Sequence, residues 1–144
     1  MINKEELRLG NLVNYEATTH RIIELLQDGC TSEWAHNKDK NAYNIYGHSY
    51  EELKPIQLTK KLALELGFEK VPHYTVAGNM ILNLGRRRFL SIGDIATPNE
   101  MMVLKEMDYD NPNKVLDCVV LHNYDYDGYL SVHKLQNIIS TYKF

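Results

Sequence analysis

Turn signals divide this chain into short apolar runs, and their spacing restricts the fold more than any other feature. In the first third, Ala17-Thr18-Thr19 and Gln27-Asp28-Gly29 separate runs with the composition of strands. The strands predicted here are 11–15, 20–26 and 30–34. They are followed by a polar segment, 35–44, which is predicted to be a loop. Three short strands at this spacing indicate a small antiparallel sheet of the SH3-like kind.

The rest of the chain combines strands with helices. Thr59 is the predicted N-cap of a helix over 60–66, with Gly67 following its end. Further strands are predicted over 68–76, 80–84, 87–92 and 114–122, with turns at 77–79 and 84–86. The apolar run Val119–Leu121 predicts that the last strand is buried on both faces and central in its sheet. A final helix is predicted from Val132, capped by Ser131.

The segment before the last strand admits two interpretations. Thr97–Glu100 has the form of a capping box with a proline at the first helical position, which would start a helix through Met107. Because the run 101–107 is short and precedes a cluster of turn residues at 108–113, a turn followed by a strand is favoured. The expected fold is α+β with mostly antiparallel strands. It comprises a small SH3-like N-terminal β lobe over 1–58 and a lobe over 59–144, in which the C-terminal helix packs on a second sheet, the two forming one compact unit.

Composition narrows the class of protein. A net charge of −3 argues against a protein whose main task is holding duplex nucleic acid. The sequence has no apolar run of signal-peptide length and none of the roughly 18 residues of a membrane span, so a cytoplasmic protein without a membrane partner is expected. Cys30 and Cys118 are predicted to be reduced thiols in or near the core. Ten tyrosines suit either half-buried strands or a binding surface.

The stretch NYDYDGYLSVHK partly matches a calcium-binding EF-hand loop. Asn123, Asp125 and Asp127 fall at ligand positions, and Gly128 falls at the turn position. The closing bidentate glutamate is replaced by Lys134, and the segment entering the loop resembles a strand, not a helix. These residues are therefore weak metal candidates. The favoured interpretation is a tight turn with a positive φ at Asp127-Gly128, and no cofactor is expected.

Three adjacent arginines, Arg86, Arg87 and Arg88, lie at the tip of a predicted hairpin. Because neighbouring residues of a strand point to opposite faces, at least two of these side chains should reach solvent. Guanidinium groups there would suit a phosphate or carboxylate, and Tyr124 and Tyr126 are candidates for stacking on a base. The alternative is a solvated hairpin tip.

No pattern of a catalytic site is present. The six histidines lack zinc-site spacing, and the sequence has no nucleophile motif, Walker loop or dinucleotide-binding glycine pattern. Enzymatic activity is therefore not expected, and no catalytic residue is nominated.

Three phrases, ELRLGNLVNY, KPIQLTKKLALELGFEK and YLSVHKLQNIIS, occur in an order typical of one family. The chain resembles small uncharacterised proteins of Bacteroidota genomes and their phages, whose pattern is Glu-Leu-Arg-x-Gly-Asn, then Pro-Ile-x-Leu-Thr and Gly-Phe, then Val-His-x-Leu-Gln. The counterparts are 6–11, 55–59 with 67–68, and 132–136. The NYDYDGY turn departs from this pattern. The resemblance implies a source and no activity.

These observations lead to three hypotheses about function. The first is a non-enzymatic binding module of phage or mobile-element origin, which docks on a host or phage protein or associates with itself. The second is a nucleotide- or nucleic-acid-binding protein that uses Arg86–Arg88 and tyrosines. The third is a weak, degenerate calcium site at 123–134.

Overall fold

A computed structural model of the chain describes residues 2–35, 45–70, 80–107, 110 and 114–143. In this part of the chain, two antiparallel sheets and a C-terminal helix confirm the predicted α+β class. The chain divides into two compact units, Met1–Ile56 with Ser131–Ile138, and Gln57–Leu130 with Ile139–Phe144. The division after Ile56 lies two residues before the predicted one, and Ser131–Ile138 is grouped with the first unit.

The first unit contains a four-stranded sheet with the order β1-β2-β3-β4. The strands are β1 (Leu12–Tyr15), β2 (Thr18–Leu25), β3 (Cys30–Trp34) and β4 (Ile45–His48). Thr18 and Thr19, predicted to lie in a turn, begin β2, because Glu16 and Ala17 with φ of 46° and 65° make the two-residue hairpin turn. Two short 3₁₀ turns, Lys4–Glu6 and Tyr50–Glu52, flank the sheet in sequence.

Strand alternation gives the first sheet one apolar face. The buried cluster consists of Ile2, Leu7, Val13, Ile22, Cys30 and Leu53, with Tyr15 and Tyr50 packed against it. Val13 is opposite His20 and Ile22 is opposite Ser32, so the same face continues into polar and aromatic residues.

The second unit begins with the helix α1 (Lys60–Glu65), which starts at the predicted residue and ends one residue before the predicted end. The Thr59 hydroxyl accepts a hydrogen bond from the Leu62 N–H at 3.2 Å, as an N-cap does. Gly67 has a φ of +102°, the left-handed conformation that commonly ends a helix.

A five-stranded sheet with the order β5-β6-β7-β8-β9 forms the rest of the second unit. The strands are β5 (Glu69–Lys70), β6 (Met80–Gly85), β7 (Arg88–Gly93), β8 (Met101–Met107) and β9 (Val115–Asn123). The interpretation of 97–107 as a turn and then a strand is confirmed. The predicted loop at 35–44, the end of the predicted strand 68–76, the turn at 77–79 and the cluster at 108–113 lie largely outside the described residues.

The prediction that the strand over 114–122 is central is wrong. Within the described residues β9 pairs only with β8, at the edge of the sheet, and every side chain from Lys114 to Val120 is exposed. An apolar run indicates that both faces of a strand suit an apolar environment, but it does not say that this chain supplies that environment. The prediction of a core thiol is likewise wrong for Cys118, which is exposed, whereas Cys30 is buried.

Two helices follow β9, the short α2 (Tyr124–Asp127) and α3 (Val132–Tyr142). The predicted cap at Ser131 is wrong, because its buried hydroxyl has no hydrogen-bond partner among the described residues. The Val132 N–H, at the first helical position, donates to the Ile56 carbonyl at 2.8 Å, and the Ser131 carbonyl accepts the Leu135 N–H at 3.1 Å, so Ser131 precedes the helix without supplying a side-chain cap. Within the described ranges, no helix has the length and apolar character that a membrane crossing requires.

Candidate ligand-binding site

The polar end of the first sheet contains a recess of about 130 Å³. It is lined by Tyr15, Glu16, Thr18, His20, Trp34 and Tyr46, and these six residues are called the aromatic recess below. The register of the strands explains the grouping: His20 is opposite Trp34, and Ser32 is opposite Tyr46. Since residues opposite each other share a face, β1, β2, β3 and β4 each contribute a ring to the same side of the sheet.

The rings of the recess contact one another in series. Trp34 and Tyr46 lie with their centroids 6.4 Å apart and nearly parallel, at 20°. Tyr46 is also 6.4 Å from Tyr15 at 42°, and His20 meets both tyrosines edge-on at 5.4–5.5 Å. Trp34 remains 42% exposed, so one wall of the recess is open to solvent. Large aromatic surface that is held rigidly and left wet is the composition typical of binding surfaces.

A buried network of hydrogen bonds lies under the recess. His20 Nδ1 is 2.9 Å from Ser32 Oγ, and Ser32 Oγ is 2.6 Å from His48 Nε2. The other nitrogen of His48, Nδ1, lies 3.7 Å from the Glu52 carboxylate. This carboxylate is fixed because it accepts the Ser49 N–H at 3.2 Å. His20, Ser32 and His48 are all buried, so this hydrogen-bond network is shielded from water.

The positions of the protons in this hydrogen-bond network follow from counting its donors. A hydroxyl has one proton, so Ser32 donates to one histidine and accepts from the other. The Glu52 carboxylate favours a proton on His48 Nδ1, which makes His48 Nε2 the acceptor for Ser32 and His20 Nδ1–H the donor to Ser32. His20 Nε2 is then an acceptor, and His20 is one of the residues that line the recess. Burial lowers the pKa of His20 and of His48, and His48 lowers that of His20 further, so both rings are neutral at pH 7.

The electrostatic character of the recess is therefore negative. Glu16 carries the only formal charge among its six lining residues. The Glu16 carboxylate raises the pKa of the Tyr15 hydroxyl, chiefly through its charge. The faces of the aromatic rings add negative quadrupole potential. With both histidines neutral, the walls of the recess provide acceptors and π faces, and no cation.

The sequence-predicted arginines lie elsewhere, in the second unit. Arg86 and Arg87, with φ of 49° and 62°, form the turn between β6 and β7. Arg86 is exposed, and Arg88 is half-buried in a second cavity of about 170 Å³ that Glu106 and Asp117 also line. Two carboxylates beside Arg88 offset its attraction for an anionic ligand.

The structure does not bring Tyr124 and Tyr126 to the arginines. Arg88 is opposite Glu106, whereas Gly93, at the other end of β7, is opposite Met101, which pairs with Asn123. Tyr124 follows Asn123, so the tyrosines and the arginines lie at opposite ends of the sheet. Tyr124 packs against Tyr129 at 4.8 Å, and Tyr126 is 88% exposed.

The weak metal candidates are engaged in a helical turn. Asn123 Oδ1 caps α2 by accepting the Asp125 N–H at 3.1 Å, and Asp127 Oδ2 accepts the Asn123 N–H at 3.2 Å. Gly128 has the positive φ that the sequence predicts, at +70°. Across the part of the chain that the structure describes, no three His, Cys, Asp or Glu side chains are grouped as a metal site.

A fully buried carboxylate, Glu100, joins three segments of the second unit. It accepts the Ala96 N–H at 2.8 Å and the Leu130 N–H at 2.5 Å, and it lies 3.2 Å from His122 Nε2. His122 Nδ1 is in turn 3.9 Å from Asp127. Because both carboxylate oxygens are occupied by protein donors, this cluster holds the turns together and leaves no opening for a ligand.

Sequence reasoning missed the residues of the aromatic recess. The alternation of side chains along the predicted strands could have indicated part of it, because Tyr15, His20 and Trp34 all share a face with residues of the core. Tyr46 and His48 could not be added, because β4 was not predicted as a strand. Comparison with known proteins finds no matching family model, no matching curated protein and no matching solved structure.

Proposed function

We propose that this chain is a non-enzymatic binding module whose aromatic recess holds a cationic group, an ammonium or a guanidinium, presented by a partner protein. The observation that supports this most strongly is the set of three aromatic side chains and one carboxylate around the cavity of about 130 Å³. A cation over aromatic faces gains about 0.5–2 kcal/mol, more when it is desolvated.

Size and charge both favour a cationic side chain over a nucleotide. Pockets for ligands of drug size usually have volumes of about 300–1,000 Å³, so this recess suits a single head group. A phosphate would meet the Glu16 carboxylate and the neutral His20 ring, whereas a cation would meet that carboxylate and the aromatic side chains. The neutral His20 ring, which also lines the recess, adds an acceptor nitrogen and no positive charge.

The arrangement of Ser32, His48 and Glu52 has the order of a hydrolytic triad, so hydrolysis is an alternative function. Ser32 has no exposed surface, and the second distance, from His48 Nδ1 to Glu52, is 3.7 Å. A nucleophile must reach the atom that it attacks, so a hydroxyl sealed between two buried rings is better suited to fixing those rings in place. The hydrogen-bond network of Ser32, His48 and Glu52 therefore serves to position His20.

The resemblance to proteins of Bacteroidota phages supports a host or phage protein as the partner. A cationic side chain on such a partner would supply the guest. Docking of this kind requires a small hot spot surrounded by contacts of little energy, which is the usual distribution in interfaces.

The chain's only tryptophan, Trp34, makes the proposal directly testable by intrinsic fluorescence. Titration with tetramethylammonium, with N-acetyl-arginine amide and with the neutral neopentyl alcohol should show saturable quenching by the cations. The neutral isostere should bind at least about fivefold more weakly, since it lacks the charge.

Two variants complete the test. Tyr46→Ala should weaken cation binding about tenfold, which corresponds to about 1.4 kcal/mol. Tyr126→Ala, which removes a tyrosine that is 88% exposed and outside the recess, should leave binding unchanged. Equal binding of the neutral isostere, or quenching by AMP in preference to the cations, would contradict the proposal.

A further inference from the structure

The edge strand β9 is apolar, yet its side chains are in solvent. Val115, Leu116, Val119 and Val120 are 45%, 56%, 46% and 54% exposed. Exposed edge strands of soluble proteins are usually short or protected by charge, because they present unpaired backbone groups. Of the nine residues of β9, Asp117 is the only one with a carboxylate or ammonium group. This strand therefore has the character of an interface.

The hydrogen-bonding register identifies which backbone groups face outward. The Met107 N–H donates to the Arg87 carbonyl at 2.9 Å, so Met107, Lys105 and Val103 direct their backbone groups toward β7. The alternate residues of β8, including Leu104, then bond toward β9. Leu104 is opposite Val119, so Val119 bonds inward.

It follows that the residues on either side of Val119, Cys118 and Val120, direct their N–H and C=O groups away from the sheet. A second observation agrees: the Cys118 N–H donates to the Asp117 carboxylate at 2.8 Å, as an outward donor without a neighbouring strand would. The regular part of the ladder spans 117–120, between register shifts at either end. Two outward residues are thus available to a further strand.

We propose that β9 pairs with β9 of a second copy of this chain, antiparallel, with the two-fold axis at Val119. In this register Cys118 of each copy is opposite Val120 of the other, and each pair exchanges two hydrogen bonds. Val119 meets Val119 at the axis, which buries an exposed apolar side chain from both copies. All four outward backbone residues of the regular ladder are used.

Charge favours this register over its neighbours. With the axis at Val119, Asp117 is opposite Leu121 of the second copy, and the two Asp117 carboxylates are about 13 Å apart along the strands. Shifting the axis to Asp117 would place the two like charges directly opposite each other. Shifting it to Cys118 would require an outward pair at Leu116, where the ladder is irregular.

The interface formed by two single strands is small. Interfaces that bury less than about 1,200 Å² in total are typically weak or transient. The expected behaviour is a monomer of 16.7 kDa at low concentration and a rise toward twice that mass at high concentration. Sedimentation equilibrium of the unmodified chain over a hundredfold range of concentration measures this.

Disulfide trapping tests the register. In a Cys118→Ser background, Val119→Cys places two thiols across a non-hydrogen-bonded pair, with Cα atoms about 4.5 Å apart, within the range of a disulfide. Mild oxidation should give a covalent dimer at least about fivefold faster than for Val115→Cys. That control has nearly the same exposure and is expected opposite Asn123.

Val119→Lys should abolish association, because it sets two ammonium groups opposite each other at the axis. Leu26→Lys, at a residue 55% exposed and outside β9, should leave association unchanged. The proposal fails if the unmodified chain stays monomeric up to its solubility limit. It also fails if the two cysteine variants cross-link at the same rate, or if Val119→Lys associates as the unmodified chain does.

Discussion

The two sheets differ in the side chains that depart most from ordinary burial. The four-stranded sheet buries His20, Ser32 and His48 beside its apolar core, whereas the five-stranded sheet leaves the valines of β9 in solvent. Buried polar groups and exposed apolar runs are the two departures from ordinary burial that carry information. The first sheet departs by enclosing a polar network under a recess, and the second departs by leaving an apolar edge uncovered. We infer that the first sheet recognises a small group and the second recognises a strand.

The buried polar clusters of the two units also differ in how completely they are satisfied. In the second unit Glu100 accepts two backbone N–H groups and lies against His122. In the first unit the buried His48 Nδ1 has no hydrogen-bond partner among the described residues, and the Glu52 carboxylate lies 3.7 Å from it. The first cluster therefore keeps one buried ring nitrogen without a hydrogen bond, whereas both carboxylate oxygens of Glu100 accept one.

The largest effect is expected from Glu100→Ala. It leaves the Ala96 and Leu130 N–H groups without their acceptor and His122 without its partner. Removing one partner from a buried charged network costs about 3–5 kcal/mol of the free energy of unfolding. Denaturant unfolding measures the loss. Glu106→Ala, at an exposed glutamate of β8, should cost less than about 0.5 kcal/mol, and equal losses in the two variants would contradict the assigned role.

A smaller loss is expected from Ser32→Ala in the first unit. Removing the hydroxyl leaves His20 Nδ1 and His48 Nε2 buried without a partner, which costs about 1–3 kcal/mol. Thr31→Ala, on the same strand with a solvent-side bond to Glu24, provides the matched control and should lose less than about 1 kcal/mol. A stability of Ser32→Ala equal to that of the parent chain would show that the two histidines find other partners.

The sequence predicted the elements better than the surfaces. The first three strands of the first sheet, the Thr59 cap and the strand over 101–107 follow from turn residues and alternation, which act over a few neighbouring positions. The edge position of β9 and the role of Glu100 could not be predicted, because they depend on which distant segment is adjacent. Glu100 appears in the sequence as part of a helix cap, and the fold uses its carboxylate to hold backbone 30 residues away.

The aromatic recess shows the same limit. Tyr15, His20 and Trp34 lie on predicted strands, yet only the register places their rings together. Arg86–Arg88 and the Tyr124–Asp127 segment were predicted as candidate sites because their residues are adjacent in the chain. Residues adjacent in sequence are easily noticed, whereas a site assembled from four strands leaves a signal of period two that is indistinguishable from ordinary packing.

Mild acidification should lower the free energy of unfolding by less than Ser32→Ala does. Burial lowers the pKa of His20, His48 and His133 in the folded state, so the unfolded chain binds more protons near the ordinary histidine pKa. The stabilising contribution is therefore present above that value and is lost as the pH falls below it. Between pH 7 and about pH 6.5 the loss should be smaller than that from Ser32→Ala, because the unfolded histidines are only partly protonated over this interval.

Unfolding curves measured between pH 7 and about pH 6.5 test whether stability falls on acidification. His20→Gln and His48→Gln should each flatten the pH dependence, because they remove one group that resists protonation. A stability that rises on acidification would mean that the buried rings are charged in the folded protein, which would also remove the basis for cation binding in the recess.

The smallest effect is expected from Val120→Lys in β9. Since this side chain is 54% exposed and its backbone groups face outward, the monomer should change in stability by less than about 0.5 kcal/mol. Measured at low concentration, that result would show that the second sheet folds without a cover on its edge. At high concentration, the parent chain should gain stability as copies associate, and the variant should not. A loss above about 1 kcal/mol at every concentration would instead mean that the chain itself packs on β9, and the contrast between the two sheets would disappear.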